Sequence, residues 1–241
     1  MPHFFINSDD ILNNKITICD KENFNHIVKS LRSKVGQKLL LIDEKKVQYE
    51  TVISDINKNT IVADIEKAYP SKRFLNFNLC LAQSPLNSNS QATIIEKATE
   101  LGVNHIYPVF TDNCSVKKAL IPTKIDKWQR IMYEASKQCE RAYVPTCHDL
   151  TTLDVLISNN NFNRILAFVE RASKKTLKQY LFDNPIKNSE NVLLIIGPEG
   201  GFSKKEFDFF EKNSKIEMLS LGNLILKADT AVITAIGNIV L

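Results

Sequence analysis

The spacing of apolar positions changes character at about residue 70. Before it, apolar residues come in short runs parted by polar turns: Lys38–Asp43, Val47–Asp55 and Thr60–Ala68. Such runs predict strands. Glu22–Leu31 differs, because Phe24, Ile27, Val28 and Leu31 recur at helical spacing. The first part of the chain therefore reads as a small β-rich domain with one helix. YPSKRF, residues 69–74, holds a proline and two basic residues and reads as a linker.

Beyond it, strands and helices alternate. Phe77–Ala82, His105–Phe110, Arg164–Val169, Val192–Ile196 and Ile216–Ser220 are strand-like, and Val192–Ile196 is wholly apolar, as expected of a buried parallel strand. Gln91–Glu100, Ile125–Cys139, Lys175–Phe182 and Asp229–Val240 have helical patterns. Ser90 is placed as the N-cap of the first of these, with Gly102 just past its end. Ser203 and Glu206 form a capping box that opens a further helix to about Asn213. This alternation predicts an α/β domain with a parallel sheet, and the chain divides into 1–71 and 74–241. The last helix, DTAVITAIGNIV, is apolar on nearly every face. Either one large core encloses it, or one face lies on the sheet and another against a second subunit.

Composition narrows the classes. Apolar residues make up 44% and charged residues 24% of the 241, which suits a packed globular chain. No apolar run approaches the ~18 residues that span a bilayer, and MPHFFINSDD lacks the features of a secretory signal. A cytoplasmic protein without membrane association is expected. The five cysteines include no CxxC pair and the four histidines are scattered, so neither a disulfide framework nor a metal site is expected.

Charge is unevenly placed. The net +4 arises entirely after residue 71, since the first 71 residues hold ten basic and ten acidic groups. Residues 113–141 carry seven Lys/Arg against three Asp/Glu. That stripe can attract nucleic-acid phosphates, or can be a solvated helix face.

Glycine is scarce, 7 residues where ordinary usage gives roughly 17. Four of them, Gly197, Gly200, Gly201 and Gly222, sit in two loops that follow predicted strands. The first is IGPEGGFS, between Val192–Ile196 and the capped helix; the second is LSLGNLILKADTA, between Ile216–Ser220 and the last helix. Neither a Walker A loop nor GxGxxG is present, which disfavours a generic phosphate cradle. Two glycine turns beyond adjacent strand ends can wall a flat ligand such as adenine. Backbone groups would read its edges, and Leu221, Ile225 and Leu226 would pack on its faces.

Two further strings matter: TIIEKATELGV at 93–103 and EASKQCERAYVP at 134–145. Taken with IGPEGGFS and LSLGNLILKADTA, in this order and spacing, they make the chain resemble a bacterial family within the SPOUT superfamily. Enzymes of that family methylate N3 of a uridine in the RNA of the small ribosomal subunit. HIVKSLRSKVGQ near the start is similar to the family's PUA-like RNA-binding domain.

The resemblance covers essentially the whole chain. It implies a trefoil-knotted SPOUT methyltransferase domain behind a small PUA-like β-barrel, S-adenosylmethionine as methyl donor, 16S rRNA or the small subunit as partner, and a homodimer through the C-terminal helix. Ile196, Gly197, Gly200, Gly201, Ser220, Leu221, Gly222 and Leu226 are the expected donor-binding residues. Arg32, Lys97, Lys117, Arg130, Lys137 and Lys227 are the expected RNA contacts.

The chain departs from the family in the second loop. Asn223 and Leu224 stand where a Pro-Arg pair is usual, Lys227 replaces a second arginine, and Asp229 replaces a glutamate. SPLNSNSQ at 84–91 replaces a basic, glycine-containing segment. Leucine for arginine removes a bidentate contact, and lysine keeps the charge without the fork. The departures leave open a family member that binds rRNA without methylating it, or one that acts on another RNA.

Uridine N3 carries a proton at neutral pH, so methylation needs a base as well as an aligned donor. Glu199 and Asp229 are the carboxylates nearest the two loops, and each has another use at a helix N-terminus. Arg141 is the candidate for holding a phosphate near the target base, or is an ordinary cation at a helix end.

Overall fold

A computed structural model of the chain describes residues 3–169, 173 and 175–241. Its contacts fall into two compact units, residues 1–74 with 136–143, and residues 75–135 with 144–241.

In the first unit, β1 (His3–Phe5) pairs in parallel with β4 (Lys38–Ile42). β4, β5 (Val47–Ile56), β6 (Ile61–Pro70), β3 (Lys15–Ile18) and β2 (Ile11–Leu12) continue the sheet in antiparallel pairs. The run Leu39–Ile42 is buried at all four positions, and Leu39 and Leu41 share one core with Phe4, Ile16, Ile18, Ile53 and Ile61. Its lid is α1 (Lys21–Phe24), started by Asp20, whose carboxylate accepts the Asn23 N–H at 2.7 Å.

The apolar spacing of Glu22–Leu31 predicts one regular helix, but Asn25–Ser30 forms a π turn instead. The Leu31 N–H donates to the His26 carbonyl. The wider turn keeps Ile27 buried and carries Leu31 off the buried face, 42% exposed. The expected linker is also shorter, since β6 runs through Pro70, which pairs with Val47. Tyr69 and Pro70 belong to the strand, not to the connection.

In the second unit a parallel sheet of six strands, among the described residues, runs in the order β12–β10–β11–β7–β8–β9. The strands are β7 (Asn78–Gln83), β8 (His105–Pro108), β9 (Thr146–Cys147), β10 (Arg164–Phe168), β11 (Asn191–Ile196) and β12 (Ile216–Leu219). Their side chains alternate between two cores. Leu79, Leu81, Leu166, Phe168, Val192, Leu194 and Ile196 face one side; Cys80, Ala82, Ile165, Ala167, Leu193 and Ile195 face the other.

Helices cover both faces, so the central strands read as unbroken apolar runs. The first core takes in residues of α2 (Ser88–Glu100), α3 (Ile125–Gln138), α5 (Leu177–Asp183) and α7 (Ala228–Val240). The second takes in α4 (Leu153–Asn159) and α6 (Lys204–Lys212). From β12 the chain returns through residues 220–227, and α7 packs on α2, α5 and β11.

The start of α2 differs from the expected cap at Ser90. Asn87 is the N-cap, and its carbonyl accepts the Gln91 N–H at 3.0 Å. Buried Gln91 turns its own carbonyl oxygen back onto the Leu86 N–H, at 2.8 Å. A glutamine side chain thus satisfies the entering backbone, and Ser90 lies within the helix. The Ser203 capping box forms as expected, with Glu206 N–H donating to Ser203 Oγ at 3.3 Å and Ser203 N–H to Glu206 Oε2 at 2.7 Å.

Candidate functional site

β12, β10 and β11 lie side by side and in parallel, so the loops leaving β11 and β12 meet beyond the carboxyl end of β10. Between these loops is a cavity of about 880 Å³, within the range of small-molecule and cofactor sites. Its walls are Phe168 and Val169 from the end of β10, Ile196–Phe202 after β11, and Leu221, Gly222 and Leu224–Ala228 after β12. Phe207 of α6 and Ala231 of α7 complete it.

The sequence places glycines in these loops for a local reason. Residues Pro198–Gly201 form a tight turn closed by the Gly201 N–H on the Pro198 carbonyl at 2.9 Å, with Gly201 at φ +68°. That is the left-handed region, which a residue with a Cβ enters at a cost. Gly222 turns the second loop at φ +138°. The resulting lining is mostly apolar side chain, with short stretches of exposed glycine backbone. It suits a flat, partly apolar ligand that is read by main-chain groups.

Seven of the eight residues expected to bind the donor line the cavity: Ile196, Gly197, Gly200, Gly201, Leu221, Gly222 and Leu226. Ser220 is buried behind it, and its backbone is tied to residues 175 and 177. Glu199 is an exposed cavity residue whose carboxylate accepts a hydrogen bond from Ser115 Oγ at 3.2 Å. Asp229 does not line the cavity. It sits in the first turn of α7 and accepts the Thr230 N–H at 2.7 Å.

Arg141 groups with the N-terminal unit. It is buried, its guanidinium lies 4.9 Å from the centre of the Tyr143 ring, and burial lowers its pKa from the usual arginine value. Among the expected RNA contacts, Arg32, Lys117 and Arg130 are exposed, Arg32 at φ +52°. Lys227, also exposed, is the N-cap of α7 and lines the cavity. Lys97 is held by the Glu96 and Glu100 carboxylates at 2.7 and 2.8 Å. Lys137 is buried, with Nζ donating to His26 Nδ1 at 2.9 Å and lying over the Phe4 ring.

Phe168, Val169 and Phe207 enter the site from a strand end and a helix whose neighbourhood no local pattern reveals. Asn113, whose amide bonds to the Gly200 and Gly201 carbonyls, had no sequence signal at all. Among the described residues no group of three or more His, Cys, Asp or Glu side chains is arranged to hold a metal ion, and no helix is long and apolar enough to cross a membrane.

Comparison with known proteins gives matches over nearly the whole chain. A family model described as an RNA methyltransferase domain matches residues 73–240, and one described as an RNA methyltransferase PUA domain matches residues 18–66. The ribosomal RNA small subunit methyltransferase E of Rickettsia conorii is 28% identical over 236 residues, covering 98% of this chain and 93% of the relative. The Aquifex aeolicus protein of the same name is 31% identical over 179 residues, 73% of this chain and 72% of the relative. A Legionella pneumophila methyltransferase, solved with bound S-adenosylmethionine, superposes with a TM-score of 0.84 at 26% identity, over 98% of this chain and 95% of that one.

Proposed function

The chain belongs to the RNA methyltransferase family matched over residues 73–240, and from that premise we propose that it transfers the methyl group of S-adenosylmethionine to N3 of a uridine in 16S ribosomal RNA. It has the SPOUT-type α/β fold of this family behind an N-terminal PUA domain. The observation that carries the reading is the cavity beyond β10, β11 and β12, walled by both glycine loops. Its volume, its apolar lining and its exposed glycine backbone suit an adenosyl group.

The donor supplies an electrophilic methyl group on a sulfonium. The protein's residues do the remaining work. Leu221, Ile225 and Leu226 would pack on the adenine faces and keep water from the cavity, while the backbone of Gly197–Gly201 reads polar edges. Glu199, exposed beside the cavity, is the proposed acceptor of the N3 proton, directly or through a water. Asp229 is the second carboxylate near the site and the weaker choice, because it already bonds the α7 terminus. Arg141 is proposed to hold a phosphate near the target base. Arg32, Lys117, Arg130 and Lys227 are proposed to meet the RNA backbone, and their exposure supports that reading.

We further propose a division of labour at 1–71 and 74–241, a cytoplasmic location, and a homodimer through α7. In the single chain Ile233, Ile239 and Val240 of α7 are only half-buried. Sedimentation at micromolar concentration checks the dimer; a mass of 27.4 kDa at all concentrations would refute it.

Primer extension on small-subunit RNA from cells with and without the gene tests the activity. Methylation at N3 blocks Watson–Crick pairing, so a reverse-transcriptase stop at a uridine is expected to vanish with the gene. An unchanged stop pattern refutes the ribosomal assignment.

A further inference from the structure

The segment Thr111–Ser115 runs beside the first glycine loop and grips it at successive points. Asn113 Nδ2 donates to the carbonyls of Gly200 and Gly201, at 3.2 and 3.1 Å. Ser115 Oγ donates to Glu199 Oε2 at 3.2 Å. Asp112 joins the capping box of α6: its N–H donates to Glu206 Oε1 at 3.1 Å, and its Oδ2 accepts from Ser203 Oγ at 2.6 Å. The segment is itself anchored, because Thr111 is buried and its Oγ1 lies 2.7 Å from Ser84 Oγ. These residues all belong to the second unit.

The fit at Asn113 is close. A Cβ added to Gly200 would come 3.2 Å from Asn113 Cβ, so Gly200 is where the two segments can approach. Both acceptors are main-chain carbonyls, so the side-chain group facing them must be the NH₂, whose two hydrogens match the two oxygens.

We propose that Asn113 is a positioning residue for the methyl donor: it holds the Gly200–Gly201 turn in its donor-binding shape before the donor arrives. The inference rests on the reading that the cavity binds S-adenosylmethionine. A glycine-rich turn left to itself has many conformations, and binding would have to order it. The Asn113 bonds order it in advance, so they act on donor affinity. Asn113 itself does not line the cavity, so it acts through the turn.

The test is titration calorimetry of the full chain with S-adenosylmethionine for wild type, Asn113→Ala and Asn113→Asp. The alanine removes the bonds. The aspartate keeps the shape but turns an anionic oxygen toward two carbonyl oxygens. Wild type is expected to bind, with Kd raised several-fold in Asn113→Ala and by about tenfold or more in Asn113→Asp. In turnover the loss is expected in KM for the donor rather than in kcat.

A thermal melt without donor separates this from a general loss of fold; a shift beyond about 3 °C in both variants would assign the residue to stability and overturn the proposal. Unchanged affinity in both variants overturns it while leaving the donor site intact. Absence of binding in wild type removes the donor reading, and this inference with it.

Discussion

Glu199 and Asp229 look equivalent in the sequence, each a carboxylate beside a glycine loop and a helix start. Tertiary structure separates their surroundings. Glu199 is an exposed cavity residue with one hydroxyl donor, whereas Asp229 is spent on the first turn of α7. If Glu199 takes the N3 proton, Glu199→Gln lowers methyl transfer at saturating donor by about 10²-fold or more and leaves donor affinity alone. A near-normal rate would refute it as the base. Asp229→Asn is expected to keep most of the rate and to lose about 0.5 kcal/mol of stability through the helix terminus, read from urea midpoints. The donor-loop residues were legible because glycine is rare here and its clustering stands out. Asn113 was not legible, because its partners lie 87 and 88 residues away in the chain and no local pattern marks them.

Among elements, the central strands and the α6 cap are the clearest cases of sequence deciding structure. Val192–Ile196 is apolar throughout because helices cover both faces of the sheet, and Ser203 with Glu206 is a local hydrogen-bonding solution complete within four residues. Ser203 also bonds Asp112, so Ser203→Ala loses more than a cap. A cost of about 1–2 kcal/mol is expected, or roughly 3–6 °C in Tm, with weaker donor binding because α6 begins where the glycine loop ends. A melting point within 1 °C of wild type would show that the cap and its Asp112 bond carry little stability. Ser90 illustrates the opposite case. It satisfies the local rule for a cap, but buried Gln91 bonds the Leu86 N–H and starts the helix earlier. The π turn at Asn25–Ser30 is another: Phe24, Ile27, Val28 and Leu31 have ordinary helical spacing, and nothing in it shows which turn will widen.

For the whole molecule, the buried histidines make stability depend on pH. His3 is 3% exposed, and among the described residues neither ring nitrogen has a hydrogen-bond partner. Burial, helped by the Arg73 charge, lowers its pKa to about 4. Burial lowers His105 and His148 as well. At His3 the unfolded chain therefore holds a proton that the folded one lacks between pH 6.5 and 4. The His3 contribution to stability is full above pH 6.5 and falls as pH drops through that window. For His3 the loss is on the order of 1–2 kcal/mol at pH 5. His3→Phe removes the titration and the two orphaned nitrogens, so the difference between urea midpoints at pH 8 and pH 5 should shrink. An unchanged difference would acquit His3.

The alternation of strands and helices, the two glycine loops and the family are all legible along the chain. All three rest on short-range signals: periodicity, the restricted conformations open to residues other than glycine, and strings of adjacent residues. What surrounds those loops comes from long-range packing instead. The order β12–β10–β11 brings residues 168, 196–202, 221, 222 and 224–228 to one cavity, and the packing of Thr111–Ser115 beside the turn supplies the bonds that hold it. Burial did the same for Lys137 and Arg141, which read as surface cations and lie 6% and 5% exposed. Contacts between distant segments depend on how the sheet is ordered and how its neighbours pack, and neither is written in the spacing of residues along the chain.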